Sequence, residues 1–336
     1  MASTNPVSRK SLLDLKEIVS LVEDDLVKVE ALFEEQVQSD VALVGEIGRY
    51  LREGGGKRVR PALLLLACRA CGYRGERAIL LGSVVEFIHT ATLLHDDIID
   101  EATTRRGRRS VNSRWGNDVT VLLGDFLYTK SMSMALSQDN LKILRLLSDV
   151  TLRMIEGEIL EIERDADLRM AESDHLDIIK RKTAHLFSAC TRIGALLAGV
   201  SEEKEQALAS YGLNLGICFQ MVDDLLDFTA DEKVLGKPVA NDLREGKLTL
   251  PAIFLLRRGG PAVRAKIETV LEDRGFDRVR PEEIVRLARE SGALEEARLL
   301  AERYAESARN DLRAFERTPY REALELLPEF ILARDH

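Results

Sequence analysis

The sequence predicts an all-α fold, and three observations predict it. No proline occurs between Pro61 and Pro238. That interval is rich in Leu, Ala, Glu, Ile and Arg, which lose little conformational freedom in a helix. Apolar residues recur at spacings of three and four, as in Leu141, Ile143, Leu144 and Leu147 or Leu208, Tyr211 and Leu215, whereas strict alternation over a strand's length is hard to find. Helix breaks are expected at GGGK (54–57), CGYRGE (71–76), RRGRRSVNSRWGND (105–118), DADLRMAESD (165–174), GVSEEKE (199–205) and TADEKVLGKPVANDLREGK (229–247). Small residues such as Gly194, Ala195, Ala198 and Gly199 suggest helices packed closely around a common centre.

With 336 residues, 45% of them hydrophobic, the chain can build a substantial core. The net charge of −9 has both signs mixed along the chain, and no basic arm or stripe stands out, which argues against nucleic acid as a partner. The N-terminal MASTNPVSRKSLLDLK lacks the apolar segment of a secretory signal, and no apolar run approaches the roughly 18 residues of a membrane span. A cytoplasmic protein without stable membrane insertion is expected. Cys68 and Cys71 form a CxxC, but Cys190 and Cys218 stand alone, so a zinc site lacks its second pair and small core residues are the better reading.

HDDIIDEATTRRG (95–107) crowds four acids into seven residues and follows them with two arginines. Like charges so close repel, so a cation belongs there. A helical period over 78–101 places Asp96 and Asp100 on one face, with Asp97 turned away by about 100°. Clustered carboxylates suit Mg²⁺, which keeps several waters and takes one or two protein carboxylates plus phosphate oxygens. Alone, the pattern also fits a solvated acidic helix end. It returns, however, at Asp223, Asp224 and Asp227 in CFQMVDDLLDF, set among Phe219, Met221, Val222, Leu225, Leu226 and Phe228. Unpaired carboxylates in so apolar a helix are costly, and a metal shared by two facing helices accounts for both.

The basic complement lies in GGGKRVRP (54–61), with Lys57, Arg58 and Arg60, and at Arg105, Arg106, Lys182, Lys237 and Lys247, at helix ends or in loops. Arginine forks and lysine point charges beside acidic metal sites suggest a diphosphate. GGGK lacks the spacing of a nucleotide-binding P-loop, and no strand precedes it.

Taken together, GGKRVRP (55–61), EFIHTATLLHDDIID (86–100), RRG (105–107), KTAHLF (182–187), FQMVDDLLD (219–227), LGKPVANDLREGK (235–247) and TLP (249–251) resemble the trans-isoprenyl diphosphate synthase family, most of all its bacterial long-chain branch that makes octaprenyl-type diphosphates. The match runs from about residue 20 to the C-terminus, leaving 1–20 as an N-terminal extension and 21–336 as the catalytic domain. Small departures, Val59, Ala240 and Leu248, touch no expected ligand.

The resemblance implies a single helical bundle around a deep central cavity, a homodimer, and head-to-tail condensation of isopentenyl diphosphate onto an allylic diphosphate. It places isopentenyl diphosphate on Lys57, Arg60, His89 and Arg106, and allylic diphosphate on Arg105, Lys182, Thr183, Gln220 and Lys237, the last four also catalytic. Mg²⁺ is expected on Asp96, Asp100 and Asp223, with Asp97, Asp224 and Asp227 acting through water or through the ligating aspartates, and Lys247 as a further cation. Two diphosphates bring roughly −6 of charge, which about three Mg²⁺ would cancel. Ala91 and Thr92, one turn before the first aspartates, leave the tunnel open for a product of about C40–C50, destined for a quinone side chain. A deeper floor falls on Tyr128, Met132 or Met134. The alternatives are a shorter, geranylgeranyl-type product, a non-catalytic subunit of a heteromeric synthase, or a terpene cyclase, which has no use for the isopentenyl site.

Overall fold

Two helices that are apolar on nearly every side organise the chain, and the rest pack around them. A computed structural model describes residues 15–229 and 239–334. In chain order its helices are α1 (Leu15–Val19), α2 (Glu23–Val37), α3 (Ala42–Glu53), α4 (Val59–Ala70), α5 (Arg77–Ile99), α6 (Val111–Trp115), α7 (Asn117–Leu136), α8 (Leu141–Glu163), α9 (Glu172–Ile179), α10 (His185–Ala198), α11 (Glu202–Thr229), α12 (Asn241–Arg244), α13 (Leu250–Arg258), α14 (Gly260–Asp273), α15 (Pro281–Glu290), α16 (Ala293–Asp311) and α17 (Pro319–Leu332). Among the described residues the strands are two of two residues each, β1 (Thr104–Arg105) and β2 (Arg108–Arg109), paired antiparallel. The all-α expectation holds.

Leu63, Leu64, Leu65, Leu66 and Ala67 of α4 are all fully buried, so this helix has no solvent face in its middle turns. Helix α5 is long and apolar enough by length and composition to cross a membrane, yet 61% of its most apolar window is buried by other helices of the chain. It packs along α7, while α10 is wedged between α4 and α11, and α11 lies against α16. Helix α1 packs on α17 with Ile18 buried, so the packed body includes residues ahead of position 20.

Close approach at these crossings depends on glycine. A Cβ on Gly194 of α10 would sit 2.7 Å from the Cys68 backbone nitrogen and 2.8 Å from the Ala67 carbonyl carbon of α4. On Gly212 of α11 it would sit 2.6 Å from the Phe187 carbonyl oxygen. Of the small residues read from the sequence, Gly194 is such a point of backbone contact, Gly199 instead ends α10 with open space about it, and Gly212 adds a contact the sequence reading did not name. Cys68, Cys190 and Cys218 are buried as free thiols, and Cys71 is half-buried.

The expected breaks at 54–57 and 71–76 fall between helices, but of 199–205 only 199–201 do, since Gly199 at φ 64° ends α10 and the acidic residues from Glu202 on form the first turn of α11. The region 105–118 holds more structure than expected. Arg106 and Gly107, at φ 52° and 73°, turn β1 into β2, a tight hairpin whose central residues both need positive φ.

Because the atoms a new Cβ would meet at position 194 are the α4 backbone and the rigid Ala67 Cβ, neither helix can yield cheaply. Gly194→Ala should lower stability by about 1–3 kcal/mol despite alanine's better helix propensity, read from the urea unfolding midpoint.

Candidate active site

A cavity of about 800 Å³ opens where the N-terminal turn of α4, the C-terminal half of α5, the end of α8, α9, α11 and the end of α17 converge. Lys57, Arg60, His89, Thr92, Asp96, Arg105, Arg106, Lys182, Thr183, Gln220, Asp223, Asp224 and Lys247 all line it. Two aspartate motifs more than a hundred residues apart thus front one space. Asp97, Asp100, Asp227, Ala91 and Met132 do not line it, and Lys237 lies outside the described residues.

On α5 the helical period sorts the first motif as the spacing requires. Asp96 points inward, and its carboxyl is pushed up to about 7 by burial, with the Glu158 carboxylate adding to the effect and Lys182 opposing it. Asp100 accepts from Lys247 Nζ at 2.8 Å. Asp97 is buried on the side of the β1–β2 hairpin, where Arg105 Nε donates to it at 2.6 Å. The two residues assigned to metal and to allylic diphosphate are therefore partners of each other, and Asp97 holds the arginine at the cavity edge.

The hairpin and the glycine-rich loop fit together. A Cβ at Gly56 would fall 2.9 Å from Arg106 Nη1, and that guanidinium donates to the Gly55 carbonyl. Arg60 donates to His89 Nε2 at 3.0 Å and stacks over the Phe187 ring. Arginine has only donors, so Nε2 is the acceptor and the imidazole is neutral with its proton on Nδ1. Burial and the surrounding arginines hold His89 well below its ordinary pKa, in agreement with that assignment. Burial also lowers Lys57, and Arg334 adds to the effect. Arg58 also lines the cavity and donates to Glu30 at 3.0 Å and to the buried Glu86 at 2.6 Å.

Lys182 is not at a helix end. It lies in a π-helical turn, Lys180–Ala184, inserted between α9 and α10, a distortion often found at functional sites. Its ammonium meets Glu158 at 2.7 Å and also Glu161. Burial alone would lower it, but the two carboxylates outweigh burial and hold it above its ordinary value. From α11, Asp223 accepts from Arg334 Nη1 at 2.7 Å, and its carboxyl is raised by burial, with Arg334 opposing. Asp224 is buried against His175, and Asp227 accepts from the Asp242 backbone N–H at 3.1 Å, bracing the start of α12.

Lys247 reaches Asp100 because its loop is clamped. Gly246 takes φ 94°, and a Cβ there would fall 1.9 Å from Arg274 Nη1 and 2.0 Å from Asp165 Oδ1. Arg274 Nη1 donates to Asp165 at 2.8 Å and to the Glu245 carbonyl at 2.7 Å, while the Ala166 N–H donates to the Gly246 carbonyl at 2.9 Å.

The residues 41–287 match the family model described as polyprenyl synthetase. The chain belongs to the polyprenyl synthetase family. This member is accordingly a prenyltransferase. It is 41% identical over 323 residues to an octaprenyl diphosphate synthase of Escherichia coli (strain K12), covering 96% of this chain and 100% of the relative. A polyprenyl synthase from Caulobacter crescentus CB15, solved with calcium and isoprenyl diphosphate, superposes with a TM-score of 0.92 at 38% identity, covering 98% of this chain and 100% of that one. A decaprenyl diphosphate synthase from Rhodobacter capsulatus gives 0.91 at 37%, covering 96% and 100%. The family resemblance read from the motifs is borne out.

Four residues with a place in the site escaped the sequence reading: Glu158, Glu161, His175 and Arg334. The glutamates sit three apart in IEGEILEIE, where four acids among nine residues were the available signal. Nothing local marks the other two.

The unfolded chain releases the Asp96 proton near pH 3.8, while the folded chain keeps it to about 7, so the folded state loses stability as pH rises across that window. With EDTA present, Asp96→Asn should match the parent near pH 4 and exceed it at pH 8 by about 1–3 kcal/mol, less than full linkage because solvent reaches the cavity. Urea unfolding at both pH values measures the difference.

Proposed function

We propose that this prenyltransferase condenses isopentenyl diphosphate head-to-tail onto an allylic diphosphate with Mg²⁺, giving a long-chain all-trans polyprenyl diphosphate of about C40–C50. The observation that carries this reading is the meeting of both aspartate motifs and the basic residues around a single cavity with apolar walls, among them Leu93, Met154, Ile178 and Phe219. The printed names of the relatives, octaprenyl and decaprenyl diphosphate synthases, support the product class.

Among the described residues no three carboxylate, imidazole or thiol groups form a cage for an ion by themselves. That donor set fits a hard cation which draws most of its ligands from diphosphate oxygens and water. Asp96 and Asp223, both raised by burial, are the carboxylates that would hold it, with Asp100 beside them. About three ions would balance the charge of two diphosphates. When bound, the metal acts as a Lewis acid on the leaving diphosphate.

The chain's own groups do the rest. Lys57, Arg60, His89 and Arg106 form the isopentenyl diphosphate side, with the His89–Arg60 bond fixing the guanidinium that lies over Phe187. Arg105 and Lys182 take the allylic diphosphate, joined by Lys247, and Lys237, outside the described residues, is assigned to it by the family resemblance. Each of Arg105, Lys182 and Lys247 is held beforehand by a carboxylate, so little reorganisation is needed when phosphate arrives. The isopentenyl double bond attacks the allylic carbon as its bond to diphosphate breaks, and the proton lost from the new chain leaves on the diphosphate. Apolar walls keep water from the cation.

Thr92 borders the cavity, whereas Ala91 is buried in the core beside it, so the wall that meets the growing tail is read at Thr92 first. Homodimer formation is supported by an apolar stripe on α8, Leu152, Ile155, Ile159 and Ile162, each more than half exposed, and by Leu122 of α7, 68% exposed.

Incubation with farnesyl diphosphate, labelled isopentenyl diphosphate and Mg²⁺ should give a ladder of products ending near C40–C50, abolished by EDTA, and Thr92→Phe should stop it several units earlier; no incorporation with any divalent metal would refute the reaction. Light scattering should give twice the chain mass, and Ile155→Glu with Ile159→Glu should halve it.

A further inference from the structure

Asp224 follows Asp223 by one residue, and the helical turn of about 100° directs it toward α9, where it lines the cavity wall beside His175. There it is buried at 3% exposure. A carboxylate so withdrawn from water requires donors, and it has them on both oxygens: His175 Nε2 at 2.8 Å on Oδ2 and Gln220 Nε2 at 3.1 Å on Oδ1. His175 is itself buried at 5%. Thr183 Oγ1 then donates to Gln220 Oε1 at 2.9 Å. Four side chains from three segments, α9, the π-helical turn and α11, form one directed chain.

The direction follows from chemistry. An ionised carboxylate only accepts, so the Gln220 amide is fixed with its nitrogen toward Asp224 and its oxygen toward Thr183. With that oxygen beside it, the Thr183 hydroxyl gives up its one proton to Gln220. Its lone pairs are left facing the cavity, where positive charge develops on the allylic carbon. If the amide turned over, Gln220 would donate to Thr183, and the hydroxyl would offer a proton to that charge instead.

We infer that His175 and Asp224 are positioning residues, which fix the Gln220 amide and through it the direction of the Thr183 hydroxyl, and that Asp224 does not ligate the metal. The inference rests on the proposed condensation. His175 also lines the cavity, and its hydrogen bond to Asp224 is what connects it to Gln220 and Thr183.

The test compares His175→Phe, which keeps the ring and removes the donor, with His175→Gln, which restores one, and with Asp224→Asn. His175→Phe should lower kcat about 10-fold or more while KM for both diphosphates and the Mg²⁺ needed for half-activation stay within about 2-fold. His175→Gln should recover most of the loss. Calorimetry with Mg²⁺ and inorganic diphosphate should give the same affinity for the parent and for Asp224→Asn.

An unchanged kcat in His175→Phe overturns the inference. So does a His175→Gln protein that folds yet has a kcat about 10-fold or more below the parent, which keeps the idea testable if the phenylalanine variant does not fold. Mg²⁺ binding weakened about 10-fold or more in Asp224→Asn would make that aspartate a ligand and overturn it as well. The Gln220 side-chain amide gives a readout free of turnover, because His175→Phe should shift its hydrogen-bonded proton resonance. A parent protein that makes no product, with that resonance behaving as stated, would refute the condensation and leave the network standing.

Discussion

A carboxylate taken from water costs several kcal/mol unless a cation or several donors face it, and this cavity takes carboxylates from α5, α8 and α11. That constraint places almost every functional side chain. Asp97 is answered by Arg105, Asp100 by Lys247, Asp223 by Arg334, Glu158 and Glu161 by Lys182, and Asp224 by His175 and Gln220. Asp96, facing inward with a second carboxylate near it, is the least compensated of them, and its raised pKa is the sign of that. Arg105, Lys182 and Lys247 are thus each held at the cavity by an acid, whereas Arg60 is held by His89 and Phe187 and Arg106 by the Gly55 carbonyl.

Backbone irregularity does the finer placement. A straight helix through 180–184 would not have inserted the π turn that carries Lys182 and Thr183 side by side into the cavity. The two-residue turn at Arg106 and Gly107 puts an arginine at positive φ, a position costly for a side chain, and thereby lays its guanidinium over Gly56. At Gly246 the absent Cβ is the space the Arg274–Asp165 ion pair occupies, and the clamp it forms is what sends Lys247 across to α5. An exposed ion pair of this kind adds little to stability. Its importance lies in where it holds the loop.

The family match and the cavity reach the same reading by independent routes. Motif order identifies a polyprenyl synthetase without any knowledge of the fold, and the fold brings those motifs to one space without any knowledge of the family. Where the two differ, the difference is informative. The motifs group Asp100 with Asp96 and Asp223, whereas in the structure Asp96, Asp223 and Asp224 line the cavity, Asp100 pairs with Lys247 at its edge, and Asp97, Asp224 and Asp227 brace the hairpin, Gln220 and the start of α12.

Much of this was legible in the chain itself. The lack of proline between Pro61 and Pro238 and the three-and-four spacing of apolar residues determined a helical fold, because both act within a few residues of chain. The period of a helix determined that Asp96 and Asp97 part company, and the apolar setting of Asp223 marked it for burial. What tertiary structure alone decided is which opposite charges meet. Lys247 and Asp100 are 147 residues apart and Arg334 and Asp223 are 111 apart, and no local pattern marks either pairing. His175, a lone histidine with no neighbour of its kind, gained a role only when α9 was laid against α11. Local geometry is written in local spacing, but the partner of a buried charge is chosen by the packing that buries it.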